Sequence, residues 1–156
     1  MTQTDRVLTV LALGLAGLSA GAFFAFSTFV MPALRAVPTR VAVHAMQAIN
    51  RAAPNALFVG ALFAPLLLGG WLCVSLRGQP GHGWAIAATA CVLAGLVVLV
   101  AYHVPRNDAL GRVPLDATDL AERWRAYHPG WTAWNHVRTL AFTAATALFA
   151  LSLGTA

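Results

Sequence analysis

Residues 131–139 read WTAWNHVRT, and residues 140–153 continue without a break as LAFTAATALFALSL. The second stretch has the apolar character of a helix inside a lipid bilayer. The first stretch places two tryptophans, an asparagine, a histidine and an arginine directly before it. Together they predict a membrane-spanning helix, and they raise the question of why polar side chains gather where lipid begins.

The composition extends this prediction to the whole chain. Of its 156 residues, 59% are hydrophobic and only 10% are charged, and the mean hydropathy is +0.71. A soluble domain carries about 25% charged residues, so an integral membrane protein is predicted. The net charge of +5 comes from ten arginines against five acids. No basic stripe with interleaved aromatic residues accompanies that charge, which argues against nucleic acid and favours membrane lipids as partners.

Four apolar stretches are long enough to cross a bilayer core, which takes about 20 helical residues. They are residues 7–31, 55–76, 84–104 and 133–153. We therefore predict an all-α fold, an integral membrane four-helix bundle that forms a single domain over residues 1–156. Pro32 and Pro105 are expected to close the first and third spans. Pro65 is expected to kink the second span and to free the carbonyl of Ala61.

Short amphipathic helices are predicted in the two long connections. Residues 38–54 have helical periodicity, and the polar residues on one face are His44, Gln47, Arg51 and Asn55. A continuous helix from there through the second span would exceed the roughly 30 Å bilayer core, so it is expected to bend at Pro54, protrude or lie on the membrane surface. In the connection 105–130, Pro129-Gly130 is expected to end a helix at headgroup level.

Arginine counting predicts the orientation in the membrane. The termini and the turn 77–83 hold two arginines, Arg6 and Arg77, whereas the other side holds eight. We therefore predict that the two long connections are cytoplasmic and that both termini lie outside. Gly17 and Gly21 form a GxxxG motif, for which packing within the bundle is favoured and a homo-oligomer is the alternative.

The polar residues of WTAWNHVRT fall on two helical stripes. Trp131, Trp134, Asn135 and Arg138 share one face, whereas His136 lies roughly 100° away from Asn135. An arginine at this depth normally faces the protein interior, a partner or water. The alternative interpretation is an interfacial belt, in which the tryptophans lie at headgroup level and Arg138 reaches lipid phosphate.

Polar side chains from three segments are predicted to meet at the same leaflet. Amides and a guanidinium that converge in a semi-apolar pocket can bind a planar, oxygen-bearing ligand or stabilise a developing oxyanion. His136 is the natural general base, because an unperturbed imidazole titrates near neutrality. The predicted catalytic residues are Asn135, His136 and Arg138, and the predicted substrate-binding residues are Gln47, Asn50, Asn107 and Trp134.

The histidines raise the question of a metal or haem. The chain has five, and His82 lies in the turn at the opposite end from the others. Their spacing contains no HxxxH, HxxE or CxxCH motif, and the two cysteines form no CxxC pair. No metal and no cofactor is therefore predicted, and haem or copper is kept as the alternative.

Four motifs, in this order, resemble the anthrone oxygenase-like family of small membrane proteins. They are FSTFVMPAL at 26–34, AMQAINRAAPNALF at 45–58, PRNDAL at 105–110 and WTAWNHVRT at 131–139. The resemblance spans nearly the whole chain and implies a four-span fold, with the bacterial plasma membrane as the expected location. Family members with assigned chemistry oxidise a polyketide anthrone to an anthraquinone with dioxygen, without a recognised cofactor motif.

Two functions remain open from the sequence. The resemblance implies an oxygenase for a lipophilic anthrone- or quinol-like substrate, in which His136 removes a proton and Asn135, Asn107 or Arg138 stabilises the enolate. The alternative is a non-catalytic membrane protein that binds, transports or acts as a scaffold, because interface placement also explains each polar residue.

Overall fold

Four long helices and one short helix form the part of the chain that the computed structural model describes, residues 1–155. The long helices are apolar enough to cross a membrane, and these residues contain no β-strand. An all-α integral membrane four-helix bundle is therefore confirmed. The helices are α1 (Gln3–Ala36), α2 (Thr39–Ala52), α3 (Ala56–Ser75), α4 (His82–Gly111) and α5 (Leu120–Gly154).

The spanning helices form a closed ring in the order α1, α3, α4, α5, and each packs against two neighbours. Small side chains allow the close approach: Ala16 in α1, Ala88 in α4 and Ala145 in α5 are fully buried. Gly95 of α4 is required where it lies, because a Cβ at this position would come within 2.6 Å of the Phe142 ring.

The GxxxG motif contributes one glycine to packing inside the bundle. A Cβ at Gly17 would lie 3.5 Å from the Thr146 side chain on α5, whereas Gly21 is exposed and has open space around it. The favoured use of Gly17 within the bundle is confirmed, and a homo-oligomer stays a prediction.

Both prolines expected to close spans lie inside continuous helices instead. A π-helical turn, Phe26–Val30, precedes Pro32 in α1, and another, Leu99–His103, precedes Pro105 in α4. A proline ring in a regular α-helix clashes with the carbonyl four residues earlier, and a wider turn moves that carbonyl away. Both helices therefore continue beyond their prolines, contrary to the expectation from sequence.

The carbonyl freed by Pro65 accepts a hydrogen bond from another helix. Pro65 lies inside α3, and the hydroxyl of Ser19 on α1 donates to the carbonyl oxygen of Ala61 at 3.1 Å. The predicted release of Ala61 is confirmed, and it supplies a polar contact between two spanning helices.

The prediction that Pro129-Gly130 ends a helix is wrong. Helix α5 begins at Leu120 and runs through both residues, so the headgroup-level segment and the fourth span are one helix. Trp124, Tyr127 and Trp131 are buried along one stripe of this segment, and this packing holds the helix together across the proline.

Helix α2 confirms the predicted amphipathic helix before the second span. Its residues Val43 and Met46 are fully buried, and it ends just before Pro54, where the chain bends. Asn55 then caps α3, because its side-chain oxygen accepts from the backbone N–H of Phe58 at 3.0 Å. Helix α2 therefore covers one end of the bundle instead of extending α3.

Candidate functional site

A cavity of about 210 Å³ lies beneath α2, where two apolar clusters meet. Phe23 and Leu99 on its wall pack with the cluster that fills the membrane core. Met46 and Trp131 belong to the cluster under α2. All five helices contribute apolar residues to the lining, and α5 also supplies Arg138, the only charged residue among the lining residues.

Arg138 is buried, with 4% of its surface exposed, and few polar groups contact its side chain. Its Nη2 donates to the side-chain oxygen of Asn135 at 2.7 Å, and its Nε has no hydrogen-bond partner. The guanidinium carbon lies 4.2 Å from the Phe23 ring centroid and 5.6 Å from that of Trp131. Within residues 1–155 no carboxylate pairs with it, so the cavity wall carries an uncompensated positive charge.

Asn135 holds Arg138 in place from behind. It is fully buried, and its side-chain nitrogen donates to the carbonyl of Phe23 and to the hydroxyl of Ser27, both at 2.8 Å. Ser27 lies in the π turn of α1, and its hydroxyl also lies 3.1 Å from that of Thr139. Since every polar atom of Asn135 is occupied, it acts as a positioning residue and has no free group for a ligand.

Asn107 organises the aromatic wall. Its side-chain oxygen accepts from the Tyr127 hydroxyl at 2.8 Å and from the Trp131 indole N–H at 2.9 Å. Asn107 lies in α4 just after Pro105, so the helical continuation past that proline is what brings it to α5. Asn107 thereby fixes Trp131, which lines the cavity, and ties it to Tyr127.

Two residues that line the cavity each carry a buried hydrogen-bond donor that lacks an acceptor. Among the described residues, two buried side-chain nitrogen or oxygen atoms have no partner, Nδ2 of Asn50 and Nε of Arg138. Both residues line this cavity. Buried donors without partners are rare and unfavourable, so their shared location indicates a place for a ligand that carries acceptor oxygens.

His103 is a buried residue to which the sequence assigned no role. Its ring is fully buried, and its two nitrogens each lie 3.3 Å from a backbone carbonyl, those of Val98 and Trp131. Its ring also meets Trp131 edge to face, at 4.9 Å between centroids. His103 therefore supports Trp131 from the side, and the π turn that contains it sets this position.

The structure brings some of the predicted site residues together. Asn50, Asn107 and Arg138 line the cavity, and Asn135 lies directly behind it. Gln47 is buried beside them, but its nitrogen already donates to the carbonyls of Leu110 and Val113, at 3.0 and 2.9 Å. Gln47 thus fastens α2 to the end of α4.

The structure does not bring His136 and Trp134 to the cavity. His136 is exposed on the outer face of α5, and Trp134 is 42% exposed and lies against Tyr102. The reason is the helical rotation of roughly 100° per residue, which turns His136 outward when Asn135 points inward. Neither residue lines the cavity, as a general base or a substrate wall would have to do.

The aromatic lining is the part of the site that sequence reasoning missed. Phe23, Phe26 and Phe58 line the cavity beside Trp131. The cluster FFAFSTF at residues 23–29 was the available signal, but apolar packing explains such a cluster equally well. Within residues 1–155, no three His, Cys, Asp or Glu side chains lie together as metal ligands do.

Fold and site together define the class: an integral membrane four-helix protein in which a buried arginine faces a small aromatic cavity. The family profile described as Anthrone oxygenase matches residues 46–148, more than half of the chain, and the chain belongs to this family. Membership indicates a membrane oxygenase-like function at the level of the family. No curated protein and no solved structure matches the chain.

Proposed function

We propose that this protein oxidises a lipophilic aromatic carbonyl compound of the anthrone type with dioxygen, and that Arg138 stabilises its enolate. The observation that carries the proposal is the Nε of Arg138, a buried donor without a partner on a guanidinium without a counter-ion. Such a group favours an anion over a neutral ligand, and the surrounding aromatic rings favour a flat apolar body.

The proposed chemistry follows from the kind of ligand that Arg138 and the surrounding aromatic rings favour. The CH2 group opposite the carbonyl in the central ring of an anthrone is acidic, and loss of a proton from it gives an aromatic enolate whose oxygen can accept from Arg138 and Asn50. The electron-rich carbon then adds dioxygen, the peroxide takes up a proton, and loss of water leaves the quinone carbonyl. Preorganised donors at the enolate oxygen lower the barrier of the first step.

The proposal assigns no side chain as the base. The described residues that line the cavity include no carboxylate and no imidazole, and His136 points away from it. In the proposed mechanism the positive charge of Arg138 makes the bound ligand acidic enough to release its proton to water. Asn135 positions Arg138, and Asn107 positions the aromatic wall.

The test uses purified protein in nanodiscs of neutral lipid, with anthrone as the probe. Under nitrogen, the enolate absorbance of bound anthrone should appear at a pH at which free anthrone is neutral. On admission of air, quinone should form and oxygen should be consumed. In Arg138→Gln both signals should fall, with kcat lower by roughly 10²- to 10³-fold; unchanged rates would refute the proposed role.

A second candidate function is supported by the same lack of an acid or base on the cavity wall. A cavity with only fixed donors suits a non-catalytic protein that binds an aromatic anion. This function predicts the enolate absorbance under nitrogen, followed by no oxygen uptake in air. The absence of haem and copper stays a prediction, which an optical spectrum and metal analysis of the same sample test.

A further inference from the structure

Asn50 and Asn107 stand where three cavities meet. Both residues line the Arg138 cavity of about 210 Å³, a cleft of about 250 Å³ and a vestibule of about 350 Å³. The cleft is bounded by α3 and α4 and opens between apolar side chains such as Phe63 and Val100. The two asparagines therefore form the junction between the Arg138 cavity and two outer spaces.

The volume of the Arg138 cavity indicates that a larger ligand would extend past this junction. Sites for drug-sized molecules measure roughly 300–1,000 Å³, and the Arg138 cavity of about 210 Å³ is smaller. A three-ring compound with substituents therefore has to extend into the cleft, the vestibule or both. The chemistry of those two spaces then decides which substituents it can carry.

The vestibule differs from the cleft in its charge. Arg51 at the end of α2 and Arg112 just after α4 line the vestibule and not the cleft, whereas the one acid, Asp108, lines both. Neither arginine has a carboxylate within 4.0 Å, since the ion pair found in residues 1–155 joins Arg123 to Asp119. Two guanidinium groups against one acid leave the vestibule electropositive.

Gln47 keeps the two sides of the vestibule at a fixed distance. Its nitrogen donates to the carbonyls of Leu110 and Val113 at the end of α4, on either side of Arg112. Arg51 lies one helical turn beyond Gln47 on the same helix. The clamp thus fixes the separation of the two helix ends that carry these arginines, whose side chains are exposed at the vestibule.

We propose that the vestibule is an anion subsite that binds an acidic substituent, a carboxylate or a phenolate, on the aromatic ligand of the Arg138 cavity. The inference rests on the proposed function and narrows its substrate class to amphipathic aromatic carbonyl compounds. The ring system lies against Arg138, the apolar edge faces the cleft, and the acidic group reaches Arg51 and Arg112. Guanidinium groups suit this task because they bind carboxylates through paired N–H groups.

The experiment compares two probes under nitrogen in phosphatidylcholine nanodiscs: anthrone, and an anthrone that carries a ring carboxylate. We expect wild-type protein to bind the carboxylated probe about tenfold more tightly than anthrone, as two partly exposed ion pairs allow. The double variant Arg51→Gln/Arg112→Gln should lose this preference and keep its Kd for anthrone. Arg40→Gln is the matched control, because Arg40 is an exposed arginine of α2 that lines none of the three cavities.

The outcomes separate this inference from the proposed function. Equal binding of both probes by wild-type protein, or equal loss of both in the double variant, overturns the anion subsite while anthrone oxidation stands. Failure of wild-type protein to bind either probe overturns both. A third arm adds phosphatidylglycerol to the nanodiscs: if the carboxylate preference then disappears, the vestibule binds lipid headgroups and the inference is wrong.

Discussion

The guanidinium carbon of Arg138 lies 4.2 Å above the ring of Phe23, and the described chain supplies no carboxylate to neutralise it. A charge in this position is unfavourable unless a ligand or water compensates it. Attraction to the ring face offsets part of that free energy, by about 2 kcal/mol at a desolvated site. The buried charge therefore lowers the stability of the protein, and a bound anion would restore that stability. Functional sites commonly reduce stability in this way.

Asn135→Asp should abolish enolate binding by supplying the missing counter-ion. The new carboxylate can still accept from Nη2 of Arg138, but it neutralises the charge, and it cannot donate to the Phe23 carbonyl. Because the Phe23 carbonyl then lacks a donor, we expect the unfolding free energy to fall by about 1–3 kcal/mol. The enolate absorbance of bound anthrone under nitrogen measures the effect on binding. Asn135→Ala is the control without added charge, and it should retain more enolate signal; the reverse order would contradict an electrostatic role for Arg138.

His136→Ala should leave oxidation within about twofold of wild type, because surface substitutions away from a site usually change little. The side chain is exposed on the outer face of α5 and does not line the cavity. Initial rates of quinone formation across the pH range check this. A loss of activity comparable to that of Arg138→Gln would restore the general base inferred from the sequence and would show that the helix turns during catalysis.

Ala53→Trp should slow the loading of substrate from lipid. Ala53 lines both the Arg138 cavity and the cleft between α3 and α4, so an indole there narrows the passage between them. We expect a slower rise of the anaerobic enolate signal, measured by stopped flow in nanodiscs. Val97→Trp is the control, because Val97 is 55% exposed and lines neither space. Identical loading rates in both variants would exclude the cleft as the route.

Ser19 and Pro65 should show coupled effects on stability. Ser19→Ala removes the donor to the carbonyl of Ala61, and hydrogen bonds between membrane helices average about 0.6 kcal/mol. In a Pro65→Ala background the restored backbone N–H of residue 65 donates to the carbonyl of Ala61. Ser19→Ala should then have a smaller effect on the free energy of unfolding. A double-mutant cycle on unfolding free energy in detergent tests this, and strict additivity of the two substitutions would disprove the shared carbonyl.

Gly95→Ala should destabilise the bundle by about 1–3 kcal/mol, the usual range for overpacking. A Cβ at residue 95 would lie 2.6 Å from the Phe142 ring, which is itself fully buried and cannot move freely. Gly14→Ala is the matched control, since nothing lies within 4 Å of its Cβ position. Thermal unfolding should separate the two variants, and equal melting temperatures would argue against the tight contact of α4 with α5.

Much of the fold was predictable because bilayer crossing depends on local composition. Twenty apolar residues in a row can satisfy their backbone hydrogen bonds only as a helix, whatever surrounds them. Helix α2 was predictable for a similar reason, since its periodicity separates one apolar from one polar face. The continuation of α1 past Pro32 and of α4 past Pro105 was not predictable, because the π turns before these prolines depend on packing against neighbouring helices.

The sequence by itself determined that this is a four-span membrane protein whose polar residues gather at one end, because hydropathy and helical spacing are properties of short segments. Only the tertiary structure decided which of those residues face one another. It placed Arg138 and Asn50 on one cavity and turned His136 outward, although all three looked equally suited in the chain. The physical reason is that a ligand site depends on which donors remain unpaired after the helices pack, and that depends on distant partners such as the Phe23 carbonyl.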